Sequence, residues 1–320
     1  MTAARYQAVP AYMEDVYEPS TMDDLYSIIP EEIAEATQLI LQDSNNPEYE
    51  GSLKKAREYF ENNSIVLNTL INNSGTSRFT EMVYGINSDE PREIIEPFIM
   101  NGHKLTEIDD WALRTMPCLG VKNRKEKLVE YTDKHIRRDL EKKDTIYIGN
   151  FGSGPGRDSI ELVRRYPNVF ADHIDTDEDA LETSKKLADY YGIGDRVMNV
   201  KESMTALDKH PDFIGKYDYV FVMGIWCPHS PLICDRIQRK IYPTIQDGGL
   251  ATISNASKVM GNGNDVSRFR ETTVGWPLWY KDENDLIEIT SKNGLFKPVE
   301  YFYDDYYQNV MVTVSKNGKR

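Results

Sequence analysis

Cysteine and long apolar runs are both scarce in this sequence. Only three cysteines, Cys118, Cys227 and Cys234, occur among 320 residues, and none belongs to a Cys-x-x-Cys pair. An odd number of cysteines without paired spacing argues against a disulfide framework and against a structural zinc site. No apolar run approaches the roughly 18–20 residues of a membrane span, and the N-terminal segment MTAARYQAVPAYMEDVYEP lacks the apolar core of a secretory signal. We therefore expect a cytoplasmic protein with free thiols.

Basic residues are fewer than acidic residues. Lysine and arginine number 38 against 52 aspartates and glutamates, which gives a formal net charge of -14 and a sequence pI near 4.9. Nucleic-acid affinity depends on clustered lysine and arginine, whereas the pairs Arg137-Arg138 and Lys142-Lys143 are short and interleaved with acids, as on a solvated helix face. The expected partner is therefore a small molecule, with no nucleic acid and no membrane. The sequence leaves open whether the protein forms a homodimer.

Apolar periodicity divides the chain into a helical first part and an alternating second part. Pro30 sets the first turn of a helix in which apolar residues recur at helical spacing through Leu41. Further helices are predicted over residues 53–62, 65–72, 92–101, 107–115 and 122–143. From residue 145 onward, short apolar strands alternate with helices, a pattern typical of a parallel sheet covered on both faces.

The end of the chain has a different pattern. The segments FKPVEYFYDD and YQNVMVTVSK read as two strands joined by a tight turn, which predicts an antiparallel β-hairpin. We predict an all-helical N-terminal cap over residues 1–121. Residues 122–320 are predicted to form an α/β domain with a seven-stranded, mostly parallel sheet that ends in this hairpin.

A glycine-rich turn follows the first predicted strand. The segment NFGSGPGRD (residues 150–158) leads from that strand into a helix, and glycines there let the chain turn tightly and let a ligand approach the backbone. Asp175 ends the second strand, 19 residues after Gly156, and an acid at this distance can accept hydrogen bonds from the ribose hydroxyls of an adenosine. The competing role is an N-cap of the next helix, for which Asp177 is better placed. The turn therefore predicts an adenosine-containing cofactor, although its G-x-G-x-G spacing differs from that of dinucleotide-binding turns.

These motifs, in this order, resemble the class I S-adenosylmethionine-dependent methyltransferase family over residues 122–320. NFGSGPG is similar to the family's first motif, RVMNVKESM to the end of its third strand, YDYVFVMGIWCPHS to its fourth-strand motif and DGGLATIS to the turn into its fifth strand. The resemblance implies a Rossmann-like fold, S-adenosyl-L-methionine as cofactor and S-adenosyl-L-homocysteine as product. It also implies the cofactor-binding residues Asn150, Gly152, Ser153, Gly154, Gly156, Asp175, Thr176, Ser203, Met204, Gly224, Ile225 and Trp226.

Two positions depart from the family pattern. Asn150 stands where an acid is usual, and Ser203 stands where aspartate is common. Two alternatives to methyl transfer therefore remain open. One is another S-adenosylmethionine-using enzyme on the same fold, such as an aminopropyl transferase or a synthase that cyclises the cofactor side chain, and the other is a non-catalytic cofactor-binding module. The preferred hypothesis is methyl transfer to oxygen or nitrogen of a small-molecule acceptor such as a secondary metabolite.

Catalytic groups are few in this family, because the transfer depends on alignment and on exclusion of water. His229, in the loop after the fourth strand, is the candidate catalytic base, since an imidazole can take a proton at neutral pH; packing is its alternative role. Metal-dependent members need acids at the ends of strands four and five, where this chain has Gly224-Ile225 and Ser254-Asn255. No metal is therefore expected.

Aromatic residues are dense in the segments with which the family commonly covers its substrate. Such side chains can hold a planar or cationic molecule, and core packing is the alternative for each. The candidate substrate-binding residues are Tyr17, Tyr26, Trp276 and Tyr303. In the segment SRFRET, Arg268 and Arg270 either pair with an acceptor carboxylate or lie on the surface.

Overall fold

The computed structural model describes residues 19–73, 77–85, 90–91, 94, 104–262 and 264–317. The helices of its N-terminal part are α1 (Met22–Ile28), α2 (Glu31–Gln42), α3 (Tyr49–Asn63), α4 (Ile65–Asn73), α5 (Ser77–Gly85), α6 (Glu107–Leu113) and α7 (Met116–Leu140). Helix α2 begins directly after Pro30, as the sequence predicts, whereas α5 was not predicted. The helix predicted over residues 92–101 falls, apart from Ile94, outside the described residues.

The second part of the chain forms a seven-stranded sheet in the order β3-β2-β1-β4-β5-β7-β6. Its strands are β1 (Ile146–Phe151), β2 (Val169–Asp175), β3 (Val197–Lys201), β4 (Tyr217–Val222), β5 (Ile245–Ala256), β6 (Phe296–Tyr303) and β7 (Asn309–Lys316). The first five strands pair in parallel, whereas β7 pairs antiparallel with β5 and β6. This confirms the predicted α/β fold with a helical N-terminal region and a C-terminal antiparallel hairpin. Helix α7 runs unbroken across residue 121, and the division into domains at that residue stays a prediction.

Successive side chains of each strand point to opposite faces of the sheet, and both faces are buried. All six residues of β4 are buried, with Tyr219 and Phe221 on one face and Val220 and Val222 on the other. The helices of this part are α8 (Arg157–Arg165), α9 (Glu178–Tyr190), α10 (Pro231–Ile241), α11 (Lys258–Gly261), α12 (Asp265–Phe269) and α13 (Glu283–Ser291). Helices α7, α8 and α9 cover the first face, and α10 and α13 cover the second. Parallel strands need this cover on both faces.

An edge of the sheet is formed by β6. Its residues 297–301 are exposed, while β7 beside it is buried. Pro298 lies in this strand, next to a register shift between Pro298 and Glu300. A residue without an N–H group is tolerated at an edge or a bulge, and both features discourage pairing with another chain.

The helical N-terminal part packs on the segment that follows β5. Phe60 and Trp111 meet Phe269 edge-to-face, with ring centroids 5.3 and 5.8 Å away. Val274 joins the same buried core. The N-terminal helices are thereby fixed above the sheet, and this boundary positions the site. Within the described ranges, no helix is long and apolar enough to cross a membrane.

Candidate functional site

The turn after β1 lies at the carboxyl edge of the parallel strands. Strand β1 is flanked by β2 and β4, so the strand order reverses here, and this reversal is where open α/β sheets form their ligand crevice. Gly152, Gly154 and Gly156 have φ angles of +62°, +52° and +69°, which glycine adopts without steric penalty. The N–H of Gly152 donates to the carbonyl oxygen of Ile174 at 2.8 Å, which ties the turn to the end of β2.

Close neighbours leave no room for side chains on this turn. A Cβ atom at Gly152 would lie 2.8 Å from Cγ1 of Ile225, in the loop after β4. A Cβ atom at Gly154 would lie 2.9 Å from Cβ of Ser77, at the start of α5. The turn is therefore approached from both the sheet domain and the helical part.

Asp175, the last residue of β2, faces this turn. Its Oδ2 accepts a hydrogen bond from the Gly154 N–H at 2.7 Å, and its Oδ1 accepts one from the Asp177 N–H at 3.0 Å. Asp177 instead caps α9, accepting from the N–H groups of Asp179 and Ala180 at 3.1 and 3.3 Å. The two acids therefore have the separate positions that the sequence predicts for them, one at the strand end and one at the helix N-terminus.

A buried polar network supports the turn from below. Nδ2 of Asn150 donates to Oδ1 of Asp158 at 2.6 Å and to Oγ of Ser159 at 2.9 Å. The His173 ring lies between Ser159 and Ser184, with its nitrogens 2.7 and 2.6 Å from their hydroxyl oxygens. Burial lowers the pKa of His173 to about 3, so the ring is neutral and structural.

Arg124 of α7 brings positive charge to the same edge. The side chain is buried, with 6% of the residue exposed, and a Cβ atom at Gly224 would lie 3.0 Å from its Nη1. Burial raises the pKa of Asp158 above its ordinary value. Hydrogen bonds donated by the Ser159 N–H and the Asn150 amide, and then the charge of Arg124, lower this pKa in part. The site thus holds a buried carboxyl group and a buried guanidinium that influence each other electrostatically.

A buried ion cluster attaches the helical part to the glycine turn. Nε of Arg157, the first residue of α8, donates to Glu81 of α5 at 2.9 Å, and its Nη1 donates to Glu90 at 2.7 Å. The three side chains are 9%, 0% and 7% exposed. Breaking such a buried pair is strongly destabilising, so the cluster holds α5 against the site.

These parts enclose a cavity of about 550 Å³. Its walls combine the glycine turn and the ends of β2, β3 and β4 with apolar side chains of the helical part and of the segment after β5. The apolar lining residues include Leu67, Leu70, Phe79, Trp111, Met260, Val266, Phe269, Val274, Trp276 and Leu278. Volumes of roughly 300–1,000 Å³ are typical of small-molecule sites.

Solved structures that superpose on most of this chain include the following two. A structure described as a possible exported protein from Bordetella parapertussis superposes with a TM-score of 0.67 and 15% identity, over 92% of this chain and 96% of its own. A magnesium protoporphyrin IX methyltransferase from Synechocystis, solved with bound SAH, superposes with a TM-score of 0.53 and 14% identity, over 83% of this chain and 99% of its own. This chain has the fold of the class I methyltransferases. No protein-family model matches the chain, and no curated protein matches it in sequence.

Within this class I methyltransferase fold, eleven of the twelve residues expected to bind the cofactor line the cavity. They are Asn150, Gly152, Ser153, Gly154, Gly156, Asp175, Thr176, Ser203, Met204, Gly224 and Ile225. Trp226 is absent from the cavity wall and is fully buried in the core beneath α10. Its neighbour Ile225 points toward the turn because the chain reverses here, after β4.

His229 lines the cavity at the end of this β4 loop. Nζ of Lys281, a residue only 2% exposed, donates to the carbonyl oxygens of Trp226, His229 and Trp279, each at 3.0 Å. Burial and then the Lys281 charge lower the pKa of His229. The imidazole is therefore neutral at pH 7 and able to accept a proton.

The predicted substrate residues are dispersed. Trp276 lines the cavity, with its ring edge-to-face to Phe79 at 6.0 Å. Tyr26 packs against the core of the helical part, outside the cavity lining. Tyr303 also lies outside the lining, where its hydroxyl donates to Glu283 at 2.5 Å. Tyr17 lies outside the described residues.

Several lining residues were not identified from the sequence. Arg124 and Glu81 reach the site from helices that precede β1, and they carry no local motif that connects them with the glycine turn. The three cysteines are buried and unpaired, and Cys118 and Cys227 both line the cavity. The Cys227 thiol accepts a hydrogen bond from the Ala256 N–H at 3.1 Å, and burial raises its pKa, which is unfavourable for a nucleophile.

Proposed function

We propose that the protein is an S-adenosylmethionine-dependent methyltransferase that acts on oxygen or nitrogen of a small molecule. The observation that carries the proposal is the placement of Asp175. Its carboxylate accepts a hydrogen bond of 2.7 Å from the Gly154 N–H of the glycine turn, and Asp175 lines the cavity. This juxtaposition suits the ribose of an adenosyl group at the crevice of an open α/β sheet.

The residues present fit such a cofactor along its whole length. A carboxylate has about four acceptor positions, so Asp175 can hold two ribose hydroxyls while it keeps its two backbone partners. Ser203 and Met204, after β3, would border the adenine. The methionine end carries both an ammonium and a carboxylate, and Asp158 and Arg124 supply the opposite charges at the other side of the turn.

Methyl transfer requires little covalent chemistry from the protein. The cofactor supplies an electrophilic methyl group on a sulfonium, and the chain must align the acceptor and keep water out. We assign His229 as the base that takes the acceptor proton, because it lines the cavity and its pKa is lowered. Lys281 is a positioning residue, since it holds the carbonyl groups of the loop that carries His229.

The volume and the apolar wall of the cavity support a small acceptor. The apolar wall formed by residues such as Leu70, Phe79 and Trp276 lies opposite the glycine turn and comes largely from the helical part and the segment after β5. A net charge of -14 is unfavourable for a nucleic-acid acceptor. We therefore assign the helical part as the element that shapes the acceptor pocket, as expected for an enzyme of specialised metabolism.

Calorimetry with S-adenosylhomocysteine tests the cofactor assignment. Each hydrogen bond to a charged group contributes about 1.5–3 kcal/mol, so the loss of two such bonds in Asp175→Ala is expected to weaken binding by at least about 100-fold. Asp212→Ala, at an exposed aspartate away from the cavity, is the matched control and should leave the affinity unchanged. Absence of binding to the wild-type protein, or equal affinities for the wild type and Asp175→Ala, would contradict the proposal.

Product analysis tests the reaction. The protein is incubated with S-adenosylmethionine, with and without a panel of small acceptors bearing hydroxyl, amine or carboxyl groups. If the protein transfers the methyl group to an acceptor, S-adenosylhomocysteine should form only when an acceptor is present. Formation of methylthioadenosine from the cofactor alone would instead identify an enzyme that transfers or cyclises the cofactor side chain. Tight binding without either product would identify a binding module.

A further inference from the structure

Arg270 places a charged group within the apolar wall of the cavity. The residue is 6% exposed and lines the cavity. It begins the π-helical turn Arg270–Val274, and such turns are frequent at functional sites. Lining residues on the same segment are otherwise apolar, among them Val266, Phe269 and Val274. A buried arginine in such surroundings needs acceptors for its N–H groups.

The protein satisfies this guanidinium incompletely. Among the described residues, the buried Nε of Arg270 has no hydrogen-bond acceptor. Its Nη1 faces the thioether of Met260 at 3.8 Å, and a thioether is a weak acceptor. Among the residues that the structure describes, oxygen acceptors are found only for Nη2, at Glu271 Oε1, 3.4 Å away, and at the Tyr280 hydroxyl. A buried donor without an acceptor is energetically unfavourable.

Glu271 offsets only part of this charge. Its side chain is 35% exposed, and the Oε1 atom near Arg270 also accepts the Tyr280 hydroxyl. Within the described ranges, the acids that line the cavity lie elsewhere, on α5, in the first turn of α8 and at or just after the ends of β2 and β3. They are Glu81, Asp158, Asp175, Asp177 and Glu202.

Arg270 lines the same cavity as the β4 loop that carries His229. Its charge acts on the thiols of Cys118 and Cys227, and Cys227 belongs to the same loop as His229. Arg124 acts on the Cys227 thiol as well. Cys227, His229 and Arg270 all line the same cavity, so a molecule bound in it has the β4 loop and Arg270 in its surroundings.

We infer that the acceptor is a small carboxylic acid whose carboxylate binds the guanidinium of Arg270, a residue that lines the cavity. Arginine and carboxylate form charge-assisted hydrogen bonds, which would offset a buried charge that the protein itself satisfies only in part. The body of the acid would lie against Phe79, Trp276 and Leu278, which line the cavity. The inference rests on the proposed function, because it names the substrate class of the same cavity.

The test compares acids with their uncharged amides. Hydrocinnamate, indole-3-acetate and octanoate, each with its primary amide, are titrated into protein saturated with S-adenosylhomocysteine, and binding is measured by calorimetry. The variants are Arg270→Met and Arg270→Gln, the second of which keeps a polar side chain beside Glu271 and Tyr280 if the first fails to fold. Arg268→Met is the control, because this neighbouring residue is exposed and donates to the Leu41 carbonyl instead.

At least one acid should bind wild-type protein and Arg268→Met tenfold more tightly than its amide, and the Arg270 variants should lose this preference. S-adenosylhomocysteine affinity should stay unchanged in all variants. The inference is overturned if no acid is preferred over its amide, or if the preference persists without Arg270. Failure of the wild type to bind S-adenosylhomocysteine would instead refute the proposed function, independently of the acid panel.

Discussion

Gly156→Ala should damage both the fold and the cofactor site, for a reason that the surroundings of this glycine make specific. A Cβ atom there would lie 2.6 Å from Nε2 of His173 and closer still to two other ring atoms. The ring cannot move aside, because it is fully buried and bound to Ser159 and Ser184. Overpacking of this kind costs about 1–3 kcal/mol. The φ angle of +69° adds roughly 1–2 kcal/mol for a residue with a Cβ atom.

Gly192→Ala separates these two contributions. Gly192 has a nearly identical φ angle of +67°, but nothing lies within 4 Å of a Cβ atom built on it. Urea unfolding should therefore show a loss of about 1–2 kcal/mol for Gly192→Ala and a further 1–3 kcal/mol for Gly156→Ala. S-adenosylhomocysteine affinity should fall at least tenfold only in Gly156→Ala, since this residue ends the glycine turn. Equal losses of stability in the two variants would refute the packing argument.

Three further changes probe the loop after β4 and the hairpin. Lys281→Met removes the charged donor that Trp226 and His229 share at their carbonyl groups, so the unfolding free energy should fall by about 3 kcal/mol. Turnover should fall more than S-adenosylhomocysteine affinity. The pKa of His229 lies below 6.5, so protonation of this base should slow the wild-type enzyme as pH falls below 6.5. His229→Ala should reduce turnover and abolish this decline. An unchanged pH–rate profile would exclude His229 as the catalytic base. Burial raises the pKa of Asp304 from 3.8 to about 6, so the folded state favours its protonated form, and this stability is present below pH 3.8 and lost as pH rises through 6. Relative to Asp304→Asn, the wild type should therefore gain on the order of 3 kcal/mol between pH 7 and pH 4, as measured by urea unfolding at each pH; a pH-independent difference would contradict this.

The sheet was predictable because its signals are local. The segments YDYVFVMGIWCPHS and YQNVMVTVSK contain β4 and β7, since apolar runs bounded by turn residues identify a buried strand without reference to the rest of the chain. The hairpin and the cap at Asp177 are local for the same reason. Helix α5 was missed because its sequence, SRFTEMVYG, mixes polar and apolar residues over only nine positions.

The walls of the cavity were less predictable because they depend on contacts distant in sequence. Arg157 pairs with Glu81, which lies 76 positions earlier in the sequence. No local sequence pattern at either residue indicates this pairing. Trp226 was grouped with the cofactor residues by its position in the β4 motif, yet its ring enters the core beneath α10. Arg268 and Arg270 could not be separated by sequence, and only the helix geometry shows that one is exposed and the other lines the cavity.

At position 150 the family pattern has an acid and this chain has an amide, and the carboxyl group nearest to that amide belongs to Asp158. An acid at this position would lie against Asp158, whose Oδ1 is only 2.6 Å from the Asn150 amide nitrogen, and two carboxylates at such a distance cannot both ionise. The amide instead donates to Asp158, which stands in the first turn of α8, where the helix dipole favours a negative charge. The departure from the family pattern at Asn150 is therefore no argument against a cofactor ammonium at this edge, because Asp158 can provide the carboxylate that Asn150 lacks.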